Sequence, residues 1–174
     1  MRYARIEKCE CTNGLSWGMS LYTQGCRRRC KGCFNNSTWD FRGGEYFSSN
    51  QTKKILTELA ANNHLKRFSI LGGEPLEEEN LRDIALLISR IRPENKDLKI
   101  WIFTGFTWED LYKRIANDPN SYLTTILENI DVLVDGPFIQ EQKDLSLKFA
   151  GSSNQRIIDV QKTLCRNEIC LLDV

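Results

Sequence analysis

The sequence predicts an α/β fold, a partial, open β/α barrel of mostly parallel strands, and three observations predict it. Short runs rich in β-formers alternate with longer segments whose apolar residues recur at helical spacing, the pattern of parallel βαβ units. Small and polar motifs follow these runs at Gly25-Cys26, Gly72-Gly73-Glu74, Thr104-Gly105 and Asp135-Gly136, placing chemistry at strand C-terminal ends as barrels do. The chain has 174 residues, and a closed barrel of eight units needs about 250, so the ring stays open.

The elements follow in order. Residues 17–24 mix apolar and polar positions with β-formers and read as a strand that delivers Cys26. Gly43-Gly44 breaks the chain, and Ser48 opens a helix over about 51–62 with Ile55, Leu56 and Leu59 on one face. Phe68 to Leu71 form a short buried strand ending at Gly72-Gly73. Leu81, Ile84, Ala85, Ile88 and Ile91 recur at helical spacing until Pro93 closes the helix, and Lys99 to Phe103 read as the third strand. Thr107 starts a helix with Asp110 three residues on, and Trp108, Leu111, Tyr112 and Ile115 share a face before Asp118-Pro119. Leu123, Ile126, Leu127 and Ile130 make a last helix leading into the strand Asp131 to Val134. With 41% hydrophobic residues and no repeat, low-complexity tract or linker, residues 1–174 read as one domain.

Charge and cysteine usage narrow the function. Twenty-four Lys and Arg against 23 Asp and Glu leave a formal charge of +1, so no global field attracts nucleic acid or an anionic membrane. The first eight residues carry charges where a signal peptide needs an apolar run, and no window approaches the ~20 apolar residues of a membrane span. A cytoplasmic location is expected. Seven cysteines, an odd number, then read as reduced, metal-binding or catalytic rather than as a disulfide framework.

Three of them organise the chain. Cys26, Cys30 and Cys33 are spaced with three and then two residues between them, and three thiolates without a nearby fourth suit an iron–sulfur cluster with one iron left open. Zinc is the weaker reading, since the single histidine, His64, lies 31 residues past Cys33. Buried cysteines acting as small hydrophobes fit poorly beside Arg27, Arg28, Arg29 and Lys31. Those cations favour thiolate and a more easily reduced cluster, or simply keep the loop solvated. Cys9, Cys11, Cys165 and Cys170 assemble a second site only if the termini meet, and free thiols are the commoner outcome. No cysteine falls within 34–67, so an inserted ferredoxin-like pair is absent there.

This cysteine spacing resembles that of the radical S-adenosylmethionine (SAM) superfamily. Phe34-Asn-Asn-Ser-Thr-Trp39-Asp40, Gly72-Gly-Glu74-Pro75, Thr104-Gly-Phe106, Val134-Asp-Gly-Pro137 and Gly151-Ser-Ser-Asn-Gln-Arg156 resemble, in order, the activating proteins of anaerobic ribonucleotide reductase, over nearly the whole chain. The resemblance implies the same open barrel and one 4Fe-4S cluster on Cys26, Cys30 and Cys33. It also implies SAM chelated at the open iron, beside Gly32, Cys33 and Phe34. Gly32 departs from the wider superfamily, which has an aromatic there. Gly72, Gly73 and Glu74 are the implied contacts of the methionine amino group, and on their own chemistry two glycines let backbone approach a ligand while Glu74 accepts from an ammonium. Thr104 and Asp135 offer acceptors to the ribose or the methionine carboxylate, and equally read as turns or caps. Arg156, with Ser152, Ser153 and Asn154, offers donors to close the barrel or hold a partner.

The implied function is an enzyme. An electron from a reduced flavodoxin-like or ferredoxin-like donor passes through the cluster to SAM, giving methionine and a 5′-deoxyadenosyl radical that abstracts hydrogen from a glycine of the anaerobic ribonucleotide reductase. No residue is needed as a general acid or base. The alternatives are an activase of another glycyl radical enzyme, a small-molecule radical SAM enzyme, and an electron-transfer module. The last leaves Gly72-Gly-Glu74 without a purpose.

Overall fold

A computed structural model describes the whole of Met1–Val174. Seven strands run along the chain: β1 (Arg2–Glu10), β2 (Gly18–Thr23), β3 (Glu45–Tyr46), β4 (Arg67–Gly72), β5 (Lys99–Phe103), β6 (Val132–Asp135) and β7 (Arg156–Asp159). They form one sheet in the order β3-β1-β2-β4-β5-β6-β7. The central four, β2, β4, β5 and β6, are the four strands read from the sequence, and all are parallel. The helices α1 (Ser49–Ala61), α2 (Glu78–Glu94), α3 (Trp108–Asn117), α4 (Tyr122–Asn129) and α5 (Val160–Arg166) supply the crossovers and the final turn.

Side-chain alternation divides the sheet into two faces. Met19, Leu21, Phe68, Ile70, Ile100, Ile102, Leu133 and Ile158 face the helices and merge with Ile55, Ile84, Ile88, Leu111, Leu123 and Ile126 into the main core. Fully burying one such side chain is worth about 1.5–3 kcal/mol, so this face holds the fold together. The opposite face carries Ser20, Tyr22, Arg67, Ser69 and a small apolar cluster of Trp101, Val132 and Val134, against which Phe103, Phe149, Ile157, Leu172 and Val174 pack. Both faces of β2 are therefore covered, and all six of its residues are buried.

Three strands escaped the sequence reading, and they sit at the margins of the sheet. Strand β1 is antiparallel to β2, from Tyr3 opposite Thr23 to Glu10 opposite Gly18, and β3 pairs with its first residues. Strand β7 is antiparallel to β6, with Asp135 opposite Arg156. Marginal strands tolerate charges that a central parallel strand does not, so the alternation of Arg2, Arg5, Glu7 and Lys8 hides β1. Pro93 does not close α2 but lies in its last turn, which runs on to Glu94. There the bond a missing N–H forfeits is one of the last, and Asn95 N still donates to Ile91 O at 3.0 Å. No helix is long and apolar enough to cross a membrane.

The N-terminal end of the non-helical face is filled by a charged group. Arg67, fully buried on β4, donates to Glu10 Oε1 at 2.7 Å, to Glu10 O at 3.1 Å and to Leu15 O at 3.3 Å. Glu10 also accepts from Thr12 N, Asn13 N and Ser20 Oγ, so the loop 11–17 is folded under the sheet as a plug. The opposite, C-terminal end of the same face stays hollow.

Candidate functional site

That hollow is a cavity of about 410 Å³ at the C-terminal ends of β2, β4 and β5, and Cys26, Cys30 and Cys33 all line it, together with Gly72, Gly73, Glu74 and Thr104. Strand β2 delivers Cys26, whose N–H donates to Trp39 O at 3.1 Å, and a turn closed by Cys33 N on Cys30 O at 3.1 Å presents the other two. Cys26 is buried, and burial pushes its thiol up, while the backbone N–H groups of Arg28 and Arg29 act in the opposite direction. Asn35 N likewise donates to Cys33 Sγ at 3.4 Å. Backbone donors to sulfur are among the groups that tune an iron–sulfur cluster, so the donor set fits three-thiolate ligation.

The four cations of this loop do not form one positive field. Arg27 pairs with Glu77 at 2.7 Å and with Glu79, Lys31 with Glu141 at 3.2 Å, and Arg28 lies 3.7 Å from Glu74. Arg29 alone points out without a carboxylate partner, so neutralisation inside the fold replaces most of the expected bias toward thiolate.

Glu74 is buried, and its carboxylate accepts from Thr104 Oγ1 at 2.7 Å, Leu76 N at 3.0 Å and Gly105 N at 2.7 Å. Burial pushes its carboxyl up against the pull of these donors. It thus ties the end of β4 to the end of β5. Gly72 and Gly73 are glycines because the chain itself approaches closely: Gly73 N donates to Thr23 O and Glu74 N to Gly25 O, at 2.9 and 2.8 Å. A Cβ on Gly73 would stand 2.5 Å from Gly25 O, and Gly72 has φ +111°.

The other expected site residues fall elsewhere. Phe34 lines the cavity mouth, 67% exposed, 5.8 Å from the Phe138 ring and beneath Lys143. Gly32 lies outside the lining at φ +74°, against Gln140, whose Oε1 leaves no room for an added Cβ. Asp135 and Arg156 also lie outside it. Buried Asp135 accepts from Trp108 N at 2.7 Å, at the start of α3, and from Arg156 Nε at 3.0 Å, while Arg156 also grips Glu109 at 3.0 and 2.8 Å. Ser152 hydrogen-bonds Asn154, and Asn154 donates to Pro137 O. The structure therefore brings together the cysteines, Phe34, Gly72, Gly73, Glu74 and Thr104, and leaves Gly32, Asp135 and Arg156 around them.

Thr12, Asn13, Arg28, Phe138, Phe149 and Gln155 also line the cavity and were not singled out from the sequence for that place. Of these, Arg28 inside the cysteine motif and Gln155 inside the Gly151–Arg156 motif carried a signal. The terminal cysteines stay apart from this site. Cys9 Sγ lies 3.8 Å from His64 Nε2, and no three His, Cys, Asp or Glu side chains in the chain converge on one metal ion. Cys26, Cys30 and Cys33 thus surround a space rather than a point.

Comparison with known proteins identifies an iron–sulfur family. The family model described as a 4Fe-4S single cluster domain matches residues 12–158. An anaerobic ribonucleoside-triphosphate reductase-activating protein of Vibrio cholerae is 35% identical over 158 residues, covering 90% of this chain and 97% of that protein. Proteins with the same description from Escherichia coli and Enterobacteria phage T4 are 36% and 32% identical, covering 89% and 90% of this chain and 96% and 93% of theirs. The likeness spans the plug, the cysteine turn, the parallel strands and β7 alike, and so the chain belongs to the 4Fe-4S single cluster domain family, among the anaerobic ribonucleoside-triphosphate reductase-activating proteins.

Proposed function

We propose that this chain is a radical SAM activase acting on an anaerobic ribonucleotide reductase, as the names of its relatives describe for them. The observation that carries the reading is the shared cavity: three cysteines, Gly72-Gly73-Glu74 and Thr104 line one space at parallel strand ends. Cys26, Cys30 and Cys33 hold a 4Fe-4S cluster and leave one iron to SAM. Bound there, the cluster and SAM would supply reductive carbon–sulfur cleavage with one electron from the external donor, and so the radical chemistry that removes a hydrogen atom from a glycine of the reductase.

The chain's own residues position and enclose. Glu74 sets the Thr104-Gly105 turn against the cysteine loop and keeps room for the methionine ammonium, because about four acceptor sites on a carboxylate exceed the three donors it receives. Phe34 and Phe138 form an apolar lip, and Thr12 and Asn13 of the loop 11–17 line the cavity from below. Helices on one face and ligands on the other support reading the whole chain as one open radical SAM barrel. An electron-transfer module would have no use for so large a cavity beside its cysteines. The cluster and seven unpaired cysteines suit the reducing cytoplasm, with a flavodoxin-like or ferredoxin-like protein as electron donor.

The test is to mix reduced, iron-loaded protein, SAM and purified reductase without oxygen and record the electron paramagnetic resonance spectrum. A glycyl radical on the reductase is the expected result. SAM cleavage without that signal, on a reductase that another activase does activate, would assign a different glycyl radical enzyme or a small-molecule substrate.

A further inference from the structure

Strand β1 pairs with β2 from Tyr3 to Glu10 but touches β3 only through Arg2 and Tyr3. Beyond that short contact β1 is the margin of the sheet, so residues 4–10 present a row of backbone N–H and C=O groups with no partner strand. At about 3.3 Å per residue the open edge is roughly 20 Å long. A second cavity, of about 720 Å³ against about 410 Å³ for the one beside the cysteines, lies along it between β1 and α1. Its apolar floor is Ile6 with buried Met19 and Ile55. Register with β2 is regular from Arg5 to Glu7, the stretch beside that floor. Lys8 is held by Glu58 at 2.9 Å, whereas exposed Lys53 and Lys54 of α1 line the cavity without a carboxylate partner.

We propose that this edge and groove take an extended, acidic segment of the partner protein, added to β1 as a further strand. The inference rests on the functional reading above, on which that partner is the reductase. An added strand satisfies the open backbone groups, and its alternate side chains fall on Ile6, Met19 and Ile55. Its acidic residues meet Lys53 and Lys54. Charges at Arg5, Glu7 and Lys8 discourage indiscriminate pairing of the edge, while the apolar floor favours a strand that fits. Tyr3 lies opposite Thr23, so the edge begins at the end of the sheet that holds the cysteine cavity and runs away from it. A segment anchored there leaves the cavity mouth free for the glycine. It also supplies the hold that the cysteine loop, with Arg27 and Lys31 already paired, does not.

The test is hydrogen–deuterium exchange of iron-loaded wild type, without oxygen, with and without purified reductase, together with reductase affinity of the double variant Lys53→Glu/Lys54→Glu. Backbone amides within residues 4–10 are expected to slow on adding reductase. The double variant is expected to bind reductase about five- to thirtyfold more weakly at low salt, with the gap narrowing as salt rises. Its iron per chain and its SAM cleavage without reductase stay unchanged, since both lysines are exposed and far from the cysteines in the sheet order. Unchanged exchange over residues 4–10 in the bound complex, or unchanged affinity of the double variant, overturns the assignment. Protection of the edge that grows with the concentration of this chain alone also overturns it, giving the edge to a second copy. Wild type that still forms a glycyl radical in those cases leaves the functional reading standing. Wild type that neither binds the reductase nor forms the radical defeats that reading and this inference together.

Discussion

Cys26, Cys30 and Cys33 line the cavity with no fourth thiol beside them, so none is spare. Replacing any one with Ala is expected to abolish SAM cleavage and lower iron per chain, whereas Cys165→Ser and Cys170→Ser keep both. Normal iron and cleavage in Cys30→Ala would remove it from the ligand set. Arg156 belongs to a different kind of site, because its partners are Asp135 and Glu109 and its place is outside the cavity. Arg156→Gln leaves buried Asp135 without its cation, which costs about 3 kcal/mol when a largely buried pair loses one member. Denaturant unfolding reads that loss. SAM affinity is expected to stay unchanged once the variant is folded, and a selective loss of SAM binding at full stability would return Arg156 to the ligand site.

Loop 11–17 depends on one buried ion pair for its position beneath the cavity. Arg67→Leu removes the cation and leaves the half-buried Glu10 carboxylate with only its neutral donors from Thr12, Asn13 and Ser20, at a cost of about 3 kcal/mol. The same pair predicts a pH dependence. Burial pushes the Glu10 carboxyl up, but hydrogen bonds from Ser20, Arg67 and Thr12 outweigh it and hold the group down at about 2. A carboxyl lowered on folding contributes stability that is fully present above its unfolded value, about 4.3, and is lost as pH falls toward 2. Unfolding midpoints of the iron-free chain between those values should therefore drop more steeply for wild type than for Glu10→Gln. Parallel curves would show that Glu10 is not held down in this way.

In the molecule's contact with a partner, the neutralised charges around the cysteine loop leave little on that side with which to attract one. Arg27, Lys31 and Arg156 are committed to carboxylates and Lys143 lies over Phe34, so Arg29 is the cation of the cysteine loop still open to an incoming chain. Arg29→Glu is expected to raise the reductase concentration needed for half-maximal glycyl radical formation about two- to fivefold, the scale of one exposed charge pair. Added salt should narrow the difference. Iron content and SAM cleavage without the reductase are the controls. A difference that persists at high salt would show that Arg29 acts by shape or by position rather than by charge.

The four parallel strands, the faces of α1 to α4, the Thr107 cap and the cysteine turn were legible in the sequence, because each is written in residues that are neighbours along the chain. Apolar spacing reports which side of an element is buried, and cysteine spacing reports what one turn can ligate. Strands β1, β3 and β7 were not legible, since marginal strands need no continuous apolar run and take their pairing from neighbours that precede or follow by tens of residues. Partner choice was hidden for the same reason. Asp135 and Arg156 both looked like ligand contacts, being polar groups near strand ends, yet antiparallel pairing of β6 with β7 sets them opposite each other and they satisfy one another. Gly72 and Gly73 looked like space for a ligand, and the tertiary structure uses that space for β2 and the cysteine loop. Arg28 is the reverse case: one of three consecutive arginines in the sequence, it is singled out only by the fold, which stacks it over Phe106 and leaves its donors unpaired inside the cavity. Sequence by itself determined the family, the cysteine turn and the parallel core. Which polar groups remain free for chemistry was decided by tertiary pairing, because a hydrogen-bonding group is available to a ligand only when the rest of the chain has not already satisfied it.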